Sequence, residues 1–258
     1  MYTDLAISGY SCARHYDSVS STMDVARELL LAHEISGNWC GLVTADHQVA
    51  GRGRQGRTWL SASAAFMGTF IFCTAEPLAA VSGYSLAVGL AVAKALEPHG
   101  YSFLLKWPND LVVVSGPSLR KLGGILVEVE EHKGYRVLLV GLGINVSKPP
   151  VELGGAAISL EELKQSAVSR DVLVRSLAVQ LRDSHEHFFR DGGFAPIRSD
   201  WEKRACFVSG RTRLQLEVGD SVVSGLYAGV SELGALRLAD GDAERTVHSG
   251  HILQIGWE

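Results

Sequence analysis

Cysteine is scarce in this chain: Cys12, Cys40, Cys73 and Cys206 are the only four in 258 residues, and no two form a CxxC pair. That excludes a disulfide scaffold, argues against a structural zinc and suits a reducing compartment. Excess positive charge is missing too. Lys and Arg number 24 against 28 Asp and Glu, a formal charge of −4, which offers no global basic surface to nucleic acid. The N-terminus lacks a basic segment followed by an apolar one, so no signal peptide is visible. Long apolar runs are absent. The uncharged stretch Pro77–Ala93 contains Ser82, Gly83, Tyr84, Ser85 and Gly89 and falls short of the ~20 apolar residues of a membrane span; its second half reads as a buried helix. A GxxxxGK[ST] phosphate loop is also lacking. What remains, 47% hydrophobic and 20% charged, suits a cytoplasmic enzyme of one large domain with a small appendage.

The stretch richest in chemistry is GRGRQGR, which sets Gly51, Gly53 and Gly56 among Arg52, Arg54 and Arg57. Glycine lets the backbone turn or approach a ligand closely. Arginine carries five fixed donors that match phosphate and carboxylate. Such runs also occur as flexible linkers and RNA-binding tails. Here the run lies between a strand-like Gly41–Ala45 and the apolar Ala65–Thr74, so it reads as a loop inside a folded domain, built to close over an anion. It matches GxGxxG formally, yet arginines fill every variable position but one, Gln55, and no tight strand–turn–helix context follows, which is weak support for a dinucleotide fold.

Along the chain, a strand is expected around Ala13–Asp17. Ser21-Thr22-Met23-Asp24 then opens a helix with Val25, Ala26, Leu29 and Leu30 on its apolar face, and Ser21 with Asp24 resembles a capping box. Strand Ala65–Thr74 is followed by helix Ser85–Leu96, ended by Pro98 and Gly100. Phe103–Trp107 and Leu111–Val114 read as strands about the turn Pro108-Asn109-Asp110, and SGPS (Ser115–Ser118) as a hairpin-like loop. Strands Gly124–Glu131 and Tyr135–Val140 join at Lys133-Gly134, and the second runs into Gly141-Leu142-Gly143-Ile144-Asn145. Beyond Pro149-Pro150 come a short helix Ser159–Lys164 and a long one, Asp171–Phe189, in which His185 and His187 are too poorly placed to pair on a metal. The glycine-dense end alternates as five short strands between Arg211 and Ile255, the pattern of a small β-barrel.

Four patterns now stand together: Ser-Ser-Thr at 20–22, Gln48 with GRGRQGR, Lys106-Trp107-Pro108-Asn109-Asp110, and Arg120–Glu128 (RKLGGILVE). In this order, over Asp17–Val146, they resemble the biotin–protein ligases (biotin–acetyl-CoA-carboxylase ligases). The resemblance implies an α+β fold: a mixed sheet with packed helices of the class II synthetase type over 1–205, and an SH3-like barrel over 206–258. It implies an enzyme that activates biotin with ATP as biotinyl-5′-adenylate, with Mg²⁺ accompanying the nucleotide, and transfers it to a lysine of a biotin carboxyl carrier domain. On that resemblance Lys121, Arg54 and Asp110 are the catalytic candidates. Ser21, Thr22, Met23, Gln48, Arg52, Gly53, Arg54 and Lys121 would hold biotin. Arg52, Arg54, Arg57, Trp59, Lys106, Asn109 and Asn145 would hold ATP or the adenylate.

Some points stay open at this stage. Met23 stands where many relatives carry asparagine, which leaves a backbone contact. Trp107 is core or ligand wall. Asp110 orients the acceptor lysine or helps hold Mg²⁺, and no metal ligand set is assigned. The arginine loop is expected to order on the charged intermediate and to keep water from it. Only about twenty residues precede the Ser-Thr pair, too few for a DNA-reading module, so specific DNA binding is not expected; the resemblance leaves a homodimer, paired through sheet edges, as an open alternative to a monomer. The competing readings are a lipoate or octanoate ligase, which predicts neither GRGRxGR nor WPND, and a non-catalytic biotin sensor, against which the retained Lys121 and arginines argue.

Overall fold

Ala65–Thr74 carries no charged side chain and buries all ten of its residues, as a strand covered on both faces must. It lies at the centre of a computed structural model that describes residues 1–60, 65–116, 118–149 and 151–257. Eight strands, β1 (Tyr2–Asp4), β2 (Cys12–Val19), β3 (Cys40–Gln48), β4 (Ala65–Thr74), β5 (Leu104–Lys106), β6 (Asp110–Ser115), β7 (Ser118–His132) and β8 (Tyr135–Asn145), form one sheet in the order β1-β2-β3-β4-β8-β7-β6-β5. Only β2 and β3 run parallel, and the helix α1 (Thr22–Leu31) makes the crossover between them. The expected strands at 124–131 and 135–140 are the inner parts of a longer hairpin. It turns at Lys133 and Gly134, whose φ values of +50° and +83° are those of a tight hairpin turn. The SGPS loop is closed by a Ser115–Ser118 pair, although its Pro117, like Pro150 and Glu258, lies outside the described residues.

Two helices cover one face of the sheet. The first, α2 (Tyr84–Leu96), buries every residue except Ser85 and Lys94; such all-round burial explains an apolar stretch that by length and composition alone could cross a membrane. It packs on α4 (Arg170–Arg190), whose Leu173, Leu177, Leu181 and Phe188 face the core. The opposite face is covered by α1, through Met23, Ala26, Leu29 and Leu30, together with Trp39 beyond it, against Val43, Ile71, Val137 and Leu139. Strands β7 and β8 run on past the start of α1. There this face carries Gly124, Gly141 and Gly143 beside Leu126, so a floor poor in side chains is left beside the helix N-terminus.

The start of α1 differs from the expected capping box. Ser21 Oγ accepts from the Met23 amide at 3.3 Å, whereas the Asp24 carboxylate turns outward to Arg27 at 3.2 Å and Arg52 at 2.7 Å. Aspartate is one methylene shorter than the glutamate that normally reaches back.

After α3 (Leu160–Lys164), α4 and α5 (Arg198–Glu202), the strands β9 (Thr212–Val218), β10 (Ser221–Val230), β11 (Leu236–Asp240), β12 (Ala243–Val247) and β13 (His251–Trp257) form an antiparallel sheet in the order β12-β11-β10-β9-β13. This is consistent with an SH3-like barrel. It is stitched to the larger sheet: Leu105 donates to Arg204 O at 2.8 Å and accepts from Cys206 N at 3.0 Å. Trp107 Nε1 donates to Gly234 O at 3.0 Å. Trp107, 2% exposed, is therefore chiefly core, and one apolar cluster runs through both sheets.

Candidate active site

Lys121 reaches the open face through a fault in the sheet. Leu111 pairs with Gly123 but the next residue, Val112, pairs with Lys121, so β7 carries one extra residue there. Strict alternation would put Lys121 on the same face as Gly123 and Ile125, in the core. The bulge re-aims it. Its ammonium now lies over Gly124, where an added Cβ would meet Nζ at 3.4 Å, and it pairs with Asp110 Oδ1 at 2.6 Å. The indole of Trp59 stands 5.7 Å away.

The arginine loop is a narrow hairpin. Gly53 N donates to Arg57 O at 2.7 Å and Trp59 N to Gly51 O at 2.9 Å. The tip turns at Gln55 and Gly56, with φ of +56° and +71°. A side chain at Gly51 would come within 2.9 Å of Trp59 O, so glycine there permits the stem to close. Arg52 ties the loop to Asp24 of α1. Arg54 reaches Asn109 Oδ1 and Ser249 Oγ, each at 3.4 Å, and Arg57 reaches the imidazole of His251. Burial lowers the Arg54 pKa, with Asp110 opposing and Arg57 adding to the effect; an arginine remains a cation all the same.

Two pockets result, which share part of their lining. The smaller is lined by Ser21, Thr22, Met23, Gln48, Gly141 and Gly143. Apart from Arg52 its polar side chains are uncharged and already networked: Gln48 Oε1 accepts from Thr22 N at 2.7 Å and Thr22 Oγ1 at 3.1 Å, and Thr69 Oγ1 donates to Thr22 Oγ1 at 2.9 Å. The Met23 amide is taken by Ser21, and its side chain is packed against the sheet. The larger pocket gathers Arg54, Arg57, Lys106, Asn109, Asp110 and Lys121. Arg52, Trp59 and Leu126 line both. The Trp59 ring lies against Gly143, where an added Cβ would come within 2.5 Å of it, and so forms the partition.

The structure thus brings together all the residues singled out in the sequence except Asn145. That side chain, 3% exposed, sits behind Lys121, donating to Lys121 O at 3.2 Å and Ile158 O at 3.1 Å. It braces the bulged strand from within. Sequence reasoning missed the contribution of the second sheet, where Gly250, His251 and Ile252 also line the cationic pocket. No local signal marks them, because they begin an ordinary alternating strand. Among the described residues one cluster of metal-type donors occurs, His15, Asp17 and Asp46; Arg170 pairs with Asp46, and none of the three lines either pocket.

The cationic pocket holds one carboxylate, and no serine or cysteine lines it among the described residues. Concentrated fixed donors are suited to bringing two anions together and neutralising charge that develops between them.

Residues 16–145 match the Biotin/lipoate A/B protein ligase family. The chain is 35% identical to the bifunctional ligase/repressor BirA of Escherichia coli over 209 residues, 79% of this chain and 62% of that relative's length. It is 30% identical over 260 residues to a biotin–[acetyl-CoA-carboxylase] ligase of Mycobacterium tuberculosis, covering 98% of this chain and 93% of the other. Its fold is similar to that of the biotin protein ligase from Aquifex aeolicus in complex with biotin and ATP, with a TM-score of 0.74, 25% identity, and coverage of 95% and 99% of the two chains.

Proposed function

This chain belongs to the Biotin/lipoate A/B protein ligase family, and from that premise we propose that it joins biotin to ATP as biotinyl-5′-adenylate and passes the biotinyl group to a lysine of a carboxylase's biotin carrier domain. The observation that carries this reading is the pairing of pockets: a hydrogen-bonding cleft built on Ser21, Thr22 and Gln48 shares Arg52, Trp59 and Leu126 with a second pocket that gathers arginines and lysines.

In the first step a biotin carboxylate oxygen attacks the α-phosphorus, a P–O bond to pyrophosphate breaks, and an acyl phosphate anhydride forms. Both partners are anions. Lys121, beside the Trp59 indole, draws them together; Arg54, Arg57 and Lys106 take up the phosphate charge. Ser21, Thr22 and Gln48 offer the ureido ring both donors and acceptors, which lipoate's disulfide ring would not use. Mg²⁺, when bound with the nucleotide, would supply further neutralisation of phosphate charge. The donor set fits that mode, since Asp110 is already engaged by Lys121 and no all-protein magnesium cage lines the pocket among the described residues.

In the second step the acceptor amine attacks the acyl carbon and AMP leaves with the bond electrons. Asp110, the pocket's carboxylate, is placed to orient that amine and draw off its proton. Incubation with ATP, biotin and a purified carrier domain tests the proposal: one biotinyl mass should appear on a single carrier lysine. No mass gain at saturating substrates would refute it.

A further inference from the structure

The tip of the arginine loop does not hang free. Arg54 Nη2 donates to Ser249 Oγ at 3.4 Å. Arg57 Nη1 lies 3.2 Å from Nδ1 and 3.3 Å from Nε2 of His251. One acceptor lies in the turn that leads into β13 and the other is its first residue, nearly two hundred residues away in sequence. Left alone, two long arginine side chains would sample many rotamers and lose that freedom only when a ligand arrived.

We infer that Ser249 and His251 are positioning residues, which hold Arg54 and Arg57 aimed over the pocket before the nucleotide binds, with His251 serving as a neutral acceptor. The identity of the nucleotide rests on the function proposed above; the contact between loop and strand does not.

A guanidinium can only donate, and an imidazole can accept only while one ring nitrogen is unprotonated. Four charged groups face this ring: Arg57 from the loop, Lys106 from β5, Asp110 from β6, and Glu217, its cross-strand partner on β9. Burial, Arg57 and Lys106 favour the neutral ring, Glu217 and Asp110 oppose them, and the pKa falls below the ordinary 6.5. His251 is therefore an acceptor at neutral pH. As pH falls through its lowered pKa, the ring loses its acceptor and sets a cation against Arg57.

Two readouts test this, both on the full chain between pH 5.5 and 7.5. One is the initial rate of trypsin cleavage at Arg52, Arg54 and Arg57 without ligand; the other is the KM for ATP in biotin-dependent pyrophosphate exchange. His251→Leu and Ser249→Ala should each raise both by about three- to tenfold, the worth of one hydrogen bond to a charged group at a partly exposed site, with kcat changing less. His251→Asn, which keeps a neutral acceptor, should restore both at pH 7.5. Acidification should raise the wild-type KM and leave that of His251→Asn flat.

Wild-type cleavage and KM in His251→Leu would overturn the inference. So would a wild-type KM that falls on acidification, because an imidazolium would then be contacting phosphate itself. Absence of any exchange in the wild type would count against the proposed function, and the cleavage comparison would still decide the latch.

Discussion

Gly143→Ala separates the site from the fold. The backbone there is not left-handed, so alanine meets no conformational penalty and recovers roughly 0.5–1 kcal/mol that glycine costs in a strand. Its Cβ would sit 2.5 Å from Trp59 Cε2 and Cζ2, where carbon atoms prefer about 3.5–4.0 Å. The indole must move by roughly 1 Å. It can, since it is half-buried and belongs to the loop, so stability should stay within about 1 kcal/mol and the Tm within about 3 °C. The moved ring is the partition between the two pockets, however, and a shift of roughly 1 Å near reacting atoms can cost about 100-fold. We predict that kcat/KM for biotin in pyrophosphate exchange falls about 10- to 100-fold. The neighbouring Gly123→Ala is the contrast. Its Cβ would meet Gly143 O at 2.5 Å, rigid backbone inside the sheet, and should cost roughly 1–3 kcal/mol of stability. Full activity in Gly143→Ala would refute the placement of Trp59, as would a loss of stability as large as that of Gly123→Ala. The effects of Gly143→Ala and Trp59→Ala should also be non-additive, because they act on one contact.

Three further outcomes are expected. Asn145→Ala strips donors from the buried carbonyls of Lys121 and Ile158 and should destabilise by about 1–3 kcal/mol in urea titration; an unchanged midpoint would mean that the brace is unimportant. Arg52→Ala removes a half-exposed pair with Asp24, so stability should change by less than about 1 kcal/mol while biotinyl-adenylate leaks faster from the enzyme. His185 is buried, which lowers its pKa from 6.5 to about 4 against the opposing bond to Cys73 O. The unfolded chain therefore takes up a proton below pH 6.5 that the folded protein refuses until about pH 4. Stability should fall by roughly 3 kcal/mol across that window as pH drops, and His185→Gln should flatten this part of the profile.

The local patterns were legible because each is local physics. Alternation marked the five strands of the last sheet, and Ser159 capped its short helix by accepting from Glu162 N at 3.2 Å. The loop residues and Lys121 could be grouped by their chemistry and by resemblance to a family, but how Lys121 gets there could not be read. Its parity in β7 points inward, and only the pairing with β6 shows the bulge that turns it out. Asn145 was grouped with the ligand contacts on the family resemblance; its inward bond to Ile158 O depends on a segment supplied from beyond the sheet. Ser249 and His251 were invisible for the same reason. Their role depends on how the second sheet docks, through Trp107, Arg204 and Cys206, and no periodicity encodes docking.

Exchange of labelled pyrophosphate into ATP, with purified protein and Mg²⁺, tests the central claim most directly. Biotin should support it and lipoate should not, and Lys121→Ala should lower it by about 100-fold or more with its Tm unchanged. No exchange from a folded sample that binds biotin, or near-normal exchange in Lys121→Ala, would contradict the account.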